Sequence, residues 1–340
     1  MKVNQTLSDI NERAAIILAG GEGIRLCEQT RNAAGVHVPK QFCPLLGDLP
    51  LLEQTRRRVS LSVPHDRVAI VLTREHERFF APLLTDVSSQ NLVIQPCNRG
   101  TAPAILYALL RLAEMTPVGV PVLLIASDHY VADERKLMKA VDLAFAAVKS
   151  QPKFVVLLGI TPDEPETAYG WIEPGCPLEP RLEHLLKVRR FWEKPSAFYA
   201  RELMAQGALW NSFMIVGRVP TLFWLFEQTL RDLFVSFTKI RPVLGTTFEA
   251  DTVQRLYEHL HRFNFSRHVL EPSVANLCVL PVAGSGWSDV GDPTRLAKIR
   301  AALKFSVRGW LVRDQAQREP TTGVPFGRNA MHQTKHSADY

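Results

Sequence analysis

Between residues 14 and 160 the chain carries five short apolar runs separated by segments of helical rhythm, and this alternation constrains the fold more than any other feature. The runs are AAIILA (14–19), RVAIVLT (67–73), NLVI (91–94), PVLLIA (121–126) and FVVLLGI (154–160). Each is too short for a helix and is bounded by turn formers, so each reads as a strand buried on both faces. The intervening patterns span about 50–61, 75–87, 102–115 and 133–149; the last follows Asp133 and repeats Leu137, Val141, Ala144 and Val148 at helical spacing. Such a succession builds a parallel sheet wrapped by helices on both faces.

After residue 160 the rhythm shifts to shorter strands and loops rich in Pro, Gly and Glu, such as TPDEPETAYGWIEPG. Helical patterns return near 219–232, 249–262 and 292–304. The expected fold is therefore α/β: a Rossmann-like mixed, mainly parallel sheet flanked by helices, carrying an α+β lobe that faces the substrate. One domain over 13–304 is expected, with halves 13–160 and 161–304, between an N-terminal segment 1–12 and a C-terminal tail 305–340. That tail mixes Gln, Thr, Pro, Gly, Asn and His without periodicity and reads as partly disordered. No internal repeat is present.

Composition narrows the function classes. Apolar residues make up 46% of 340 and charged residues 22%, which excludes a disordered or fibrous chain. The longest apolar run, 117–126, is about half of what a bilayer-spanning helix needs. Asp9, Glu12 and Arg13 precede the first apolar run, the wrong order for a signal peptide, so a cytoplasmic location without membrane attachment is expected. Five cysteines (27, 43, 97, 176 and 278) stand singly, with no metal or redox spacing, and read as reduced, mostly buried thiols. Forty basic against thirty-four acidic side chains give +6, a balance that suits phosphorylated substrates without demanding nucleic acid. Arg56, Arg57 and Arg58, the one basic run, read as a solvated helix face.

The first strand leads directly into LAGGEGIRL (18–26). Three glycines within four positions at a strand's carboxyl end let backbone N–H groups face an anion. No Walker G-K-[ST] follows, and Arg25 stands where a dinucleotide fingerprint needs its third glycine. A guanidinium over a glycine turn bridges oxygens of two phosphoryl groups, which suits a triphosphate. In VPKQF (38–42), Lys40 offers a second cation to the same polyphosphate. A plain strand-to-helix turn is the competing reading of the glycines alone, and a lone lysine by itself carries no meaning.

The G-G-x-G-x-R-L turn followed by P-K resembles the nucleotidyltransferases that join a sugar 1-phosphate to a nucleoside triphosphate. The blocks QPCNRGTAPAI (95–105), SDHYV (127–131), PETAYGWIEPG (165–175), FWEKP (191–195), WNS (210–212) and GWSDVGD (286–292) resemble, in order, those of the mannose-1-phosphate guanylyltransferase branch. The resemblance covers about residues 13–300. It implies transfer of GMP from GTP to mannose 1-phosphate with Mg²⁺, giving GDP-mannose and pyrophosphate. Catalytic roles then fall to Arg25, Lys40 and Asp128, and metal ligation to Asp128 and Asp289. Nucleotide contacts fall to Leu18, Ala19, Gly20, Gly21, Glu22, Gly23, Gln95, Asn98, Gly100 and Thr101. The sugar phosphate falls to Gly170, Glu193, Lys194 and Asn211, with Trp171 also bordering the pocket.

The residue chemistry agrees. Asp128 follows a buried strand at its carboxyl end, where open α/β sheets bind ligands; a helix N-cap is its alternative, and a structural turn is that of Asp289. A carboxylate and an amide suit adjacent hydroxyls, and Lys194 suits the sugar's phosphate, although surface salt bridges or turn caps would use the same residue types. Guanine over another base does not follow from these residues. His259 and His261, two apart on an expected helix, diverge and make no metal pair.

Three features depart from the branch. The 26–39 loop is longer by about four residues and lacks a proline turn; Phe213 follows WNS where glycine is usual; and Ala168 precedes YG in place of the usual small turn residue. The loop and Phe213 motivate a rival reading as a non-catalytic sugar-nucleotide sensor. Another base or hexose is an alternative within the same chemistry. The chain runs about 40 residues past GWSDVGD, too few for an isomerase barrel, so action without one is expected. The resemblance leaves room for a homodimer.

Overall fold

β1 (Ala14–Leu18) is buried along its length, with Ala15 and Ile17 in one apolar cluster and Ala14 and Ile16 in another, because helices cover both sides of the sheet. The computed structural model describes residues 12–32, 34–180 and 184–303. The expected N-terminal segment, apart from Glu12, and the tail 305–340 lie outside the described residues. β1 pairs in parallel with β2 (Val68–Thr73) and β4 (Pro121–Ala126), and β2 with β3 (Leu92–Gln95). The full order is β3-β2-β1-β4-β9-β6-β10-β8-β7, where β6 is Val155–Ile160, β7 Gly170–Pro177, β8 Leu186–Glu193, β9 Leu209–Arg218 and β10 Leu277–Val282. The five strands expected from the first half all form, but the fifth does not follow the fourth. β9 lies between β4 and β6 and runs antiparallel to both, so the sheet is mixed and only partly parallel. Strands from both halves thus interleave in one sheet.

On one face sit the helices Leu51–Val59, Glu134–Ser150 and Pro293–Ala302; on the other sit Thr101–Met115, Val219–Thr229 and Arg231–Thr238. Several expected boundaries shift. The 75–87 pattern yields only a 3₁₀ turn at Arg74–His76 and the helix Glu77–Phe80, since Pro82 lacks the N–H needed to continue it. The 219–232 pattern breaks at Leu230, and a second helix continues to Thr238. The 249–262 pattern ends at Glu258 because the backbone beyond is used elsewhere: Phe263 N–H donates to the Arg99 carbonyl, and the Phe263 carbonyl accepts from Ala102 N–H.

The basic run is only partly a solvated face. Arg57 is exposed, but Arg58 continues the buried stripe of Leu51, Leu52 and Thr55 and is 1% exposed, its guanidinium paired with Glu134 at 3.0 Å. All five cysteines are free, as expected, but only Cys43 and Cys278 are buried, and burial pushes both thiols up to about 12. The long 26–39 loop folds on itself: Arg31 bridges to His37, and Asn32 Oδ1 accepts from Ala34 and Val36 N–H.

A buried ionic knot joins the Thr101–Met115 helix to Glu249–Glu258. Glu249 accepts from Tyr107 Oη (2.6 Å), Arg111 Nη1 (2.5 Å) and Gly245 N–H (2.7 Å). Replacing Glu249 by Leu leaves the Arg111 guanidinium uncompensated. We expect a loss of about 3–5 kcal/mol in unfolding free energy, read from the urea midpoint.

Candidate functional site

A cavity of about 530 Å³ opens at the carboxyl ends of β1, β3 and β4, where Leu18, Gln95 and Ala126 contribute to its wall. The glycine turn forms one side through Gly20 and Gly21. A Cβ on Gly20 would stand 2.7 Å from Gln95 Nε2 and 2.9 Å from Thr73 Oγ1, so a larger residue would displace both side chains. Gly23 adopts φ 66°, a conformation that glycine tolerates best. Three successive carbonyls are held by side chains. Gln41 Nε2 donates to those of Ala19 (2.9 Å) and Gly21 (2.8 Å), and Thr73 Oγ1 to that of Gly20 (3.1 Å). Turning the oxygens aside is the condition for the turn's N–H groups to serve an anion. Gln41 was not singled out in the sequence; its signal is an amide in a segment that folds as buried.

The carboxylates arrive from distant segments. β5 (His129–Tyr130) and β11 (Ser288–Asp289) form a two-stranded ribbon in which His129 faces Asp289, and this brings Asp128 and Asp289 together. Lys40 Nζ lies 3.0 Å from Asp128 Oδ2 and 3.3 Å from Asp289 Oδ1, and donates to the Val290 carbonyl at 2.7 Å. Lys40, 7% exposed, therefore stands between the carboxylates instead of free over the glycine turn. Arg25 reaches the same place from the rim, its exposed guanidinium 3.9 Å from Asp289 Oδ2. The N-cap alternative for Asp128 does not apply, since Asp133 caps the Glu134–Ser150 helix.

Burial alone would lower the pKa of Lys40, but Asp128 and Asp289 override it and hold the ammonium above its ordinary value. Burial opposes the charge on Asp128 as well, and Lys40 prevails, keeping that carboxyl below its usual range. Burial lowers His129, whose Nδ1 accepts from Trp287 Nε1 at 3.3 Å, the arrangement of a neutral imidazole.

At the far end, Gly170 pairs with Glu193 across β7 and β8, and its missing Cβ leaves room between Glu193 Oε2 and Asn211. Lys194 Nζ lies 2.9 Å from Glu193 Oε1. Asn211 Oδ1 accepts from Phe213 N–H (3.2 Å). Phe213 lines the cavity with Asn211, as strand alternation predicts, yet at φ 56° it occupies a left-handed conformation beside an irregularity in the β6–β9 register. That backbone is what glycine would favour here. Lys194 shares the conformation at φ 53°. Trp171 is buried away from the cavity and donates its indole N–H to the Glu166 carbonyl.

The third wall is NRGT. Asn98 Oδ1 accepts from Gly100 N–H (2.8 Å) and Thr101 Oγ1 from Phe265 N–H (2.8 Å). The 262–266 segment faces it and adds Arg262, Asn264 and Ser266 to the lining, none of which was expected, because the stretch only follows an expected helix and carries no motif. Tyr169, His129 and Trp287 also line the cavity.

Of the expected residues, the cavity thus gathers Leu18, Gly20, Gly21, Arg25, Lys40, Gln95, Asn98, Gly100, Thr101, Asp128, Gly170, Glu193, Lys194, Asn211 and Asp289. Ala19, Glu22 and Gly23 are outside its wall: Ala19 is buried beneath the turn, Glu22 pairs with Arg262 at 3.5 Å, and Gly23 shapes the turn through its backbone. None of the described residues within 26–39 lines it. Among the described residues no group of three or more His, Cys, Asp or Glu is placed to hold a metal.

A Cβ on Gly100 would fall 2.3 Å from the Phe263 carbonyl oxygen at φ 90°. Gly100→Ala is therefore expected to cost about 2–4 kcal/mol, measured by urea unfolding.

The family model described as Nucleotidyl transferase matches residues 14–305. Mannose-1-phosphate guanylyltransferase of Escherichia coli K12 is 30% identical over 292 residues, covering 84% of this chain and 59% of that protein. The alginate biosynthesis protein AlgA of Pseudomonas aeruginosa is 30% identical over 84% of this chain and 58% of its own length. The xanthan biosynthesis protein XanB of Xanthomonas campestris is 32% identical over the same shares. The chain therefore spans somewhat more than half the length of these relatives. A solved structure from Thermus thermophilus, described as mannose-1-phosphate geranyltransferase, superposes with TM-score 0.72 at 28% identity, covering 85% of this chain and 79% of that one. Among the described residues no helix is long and apolar enough to cross a membrane.

Proposed function

This chain belongs to the nucleotidyl transferase family, and from that premise we propose that it transfers GMP from GTP to mannose 1-phosphate, giving GDP-mannose and pyrophosphate. The observation that carries the reading is the convergence of Asp128, Asp289 and Lys40 beside the glycine turn, in the cavity that also holds Glu193 and Asn211. The relatives named for mannose-1-phosphate guanylyl transfer support the choice of base and sugar. The half built from 13–160 takes the nucleotide and that from 161–304 the sugar phosphate.

The glycine turn binds the triphosphate through backbone N–H groups, and Arg25 closes over it from the rim. Glu193 and Asn211 hold adjacent sugar hydroxyls, and Lys194 the sugar's phosphate. A phosphate oxygen of mannose 1-phosphate attacks the α-phosphorus in line; the new P–O bond forms as the bond to the β-phosphate oxygen breaks. Arg25 stabilises charge on the departing pyrophosphate, Lys40 holds Asp128 and Asp289 together beside it, and no covalent enzyme intermediate is needed. Asp128 and Asp289 would hold Mg²⁺, since the two carboxylates already converge on one cation, the Lys40 ammonium. When bound, Mg²⁺ neutralises phosphate oxygens and polarises the phosphorus under attack.

The sensor reading loses one of its two grounds, since no described residue of the long loop lines the cavity; Phe213 remains. The five unpaired thiols suit a reducing cytoplasm.

The test crosses four nucleoside triphosphates with several sugar 1-phosphates and reads released pyrophosphate; a preference for another pair would replace this reading. Asp128→Asn and Asp289→Asn should each lower turnover by about 10²-fold or more and raise the Mg²⁺ concentration for half-maximal rate. Lys40→Met should lower kcat by a similar factor. Wild-type behaviour of Asp289→Asn in the Mg²⁺ titration would remove it from the ligand set. Phe213→Gly should lower KM for mannose 1-phosphate more than KM for GTP. Relief of left-handed backbone, about 1 kcal/mol, should offset part of the lost aromatic packing. An unchanged sugar KM would place the ring outside the sugar's contact.

A further inference from the structure

Gln95 sits at the end of β3 with its side chain in the cavity wall, and its amide can present either an acceptor or a donor to a bound base. Which one it presents is settled by a chain of buried hydrogen bonds. The Gly20 carbonyl only accepts, so the Thr73 hydroxyl must spend its proton on it, at 3.1 Å. Thr73 Oγ1 is then left as an acceptor towards Gln95, which must turn its NH₂ that way, at 3.4 Å. Gln95 Oε1 consequently faces the opposite side and accepts from Tyr257 Oη at 3.3 Å. Thr73 and Tyr257 are 1% and 0% exposed, so water does not compete for their hydroxyls. Every direction in the chain follows from the one member that cannot donate.

Tyr257 comes from the Glu249–Glu258 helix, 162 residues from Gln95. Its carbonyl accepts from Arg99 Nε at 3.1 Å, so the same residue also braces the NRGT segment. We infer that Tyr257 is a positioning residue for base selection: by occupying Gln95 Oε1 it leaves the amide N–H as the group offered to the base. This rests on the nucleotide occupying this end of the cavity, as in the proposed function. A purine with oxygen at position 6 supplies the matching acceptor, whereas the amino group of adenine meets donor against donor. Thr73 and Tyr257 each favour this orientation, so loss of either hydroxyl lowers the cost of turning the amide over to offer Oε1, which accepts from that amino group. Selection of a 6-oxopurine thus has a physical origin in a residue that does not itself reach the ligand.

The experiment measures dissociation constants of GTP, ITP and ATP by titration calorimetry on the full chain and on Tyr257→Phe, Thr73→Val and Thr73→Ser, each checked for folding by thermal melting. ITP keeps the oxygen at position 6 without the 2-amino group, so it should follow GTP throughout. Tyr257→Phe and Thr73→Val should each lower the ATP-to-GTP ratio of dissociation constants by about tenfold, and Thr73→Ser, which keeps the hydroxyl, should retain the wild-type ratio. Mannose 1-phosphate affinity should not change. Equal weakening of all three nucleotides, or an unchanged ratio in both hydroxyl-deleting variants, would overturn the inference, as would a wild-type chain that does not distinguish GTP from ATP. Should Tyr257→Phe fail to fold, the Thr73 pair decides alone. The proposed function fails separately, on the wild-type chain, if GTP and mannose 1-phosphate release no pyrophosphate.

Discussion

The Lys40 ammonium between Asp128 and Asp289 is the contact on which the site depends. Lys40 and Asp289 are 249 residues apart, and Asp128 comes from a third segment. Two carboxylates this close repel each other, and a buried cation between them offsets that repulsion. Burying three charges is a poor way to gain stability, because desolvation offsets much of the attraction. Their presence is better understood through the chemistry they hold ready: two carboxylates at the edge of a glycine turn whose carbonyls have been turned away by Gln41 and Thr73.

Everything else in the fold brings these groups to one place. The parallel strands end together, so Leu18, Gln95 and Asp128 arise along one edge of the sheet. β9 enters between β4 and β6 and carries Asn211 to that edge, and the β5–β11 ribbon carries Asp289. The Glu249–Glu258 helix is anchored through Glu249 to Tyr107 and Arg111, which fixes where the chain leaves it and so places the 262–266 wall. A second anchor, Arg295, lies over the Tyr169 ring and pairs with Glu166 and Asp292, holding the loop before Gly170.

Local strain collects at the sugar end. Lys194 and Phe213 both take left-handed backbone angles, each at a cost of order 1 kcal/mol. Both are held by their surroundings: Lys194 N–H donates to the Tyr169 carbonyl, and Phe213 N–H to Asn211 Oδ1. At Phe213 the backbone keeps the shape that glycine would take at no cost, and the side chain adds a ring to the cavity wall. The substitution therefore changes the contents of the pocket more than the path of the chain.

The residues alone were sufficient for what local periodicity and local chemistry govern. Buried strands follow from short apolar runs, helix faces from repeats such as Leu137, Val141, Ala144 and Val148, and the anion turn from three glycines after β1. The motif order also led to most of the cavity's lining. What periodicity does not contain is pairing between distant segments. That β9 would enter the sheet antiparallel, that Arg58 would face the core with Glu134, and that residues 262–266 would leave the helical pattern all depend on long-range partners. Lys40 looks from its motif like a phosphate ligand; only the meeting of Asp128 with Asp289 shows where its charge is spent. The orientation of the Gln95 amide is set by Gly20, Thr73 and Tyr257, which meet only when β1, β2, β3 and the Glu249–Glu258 helix are packed, and a hydrogen-bond direction exists only once its partners are in place.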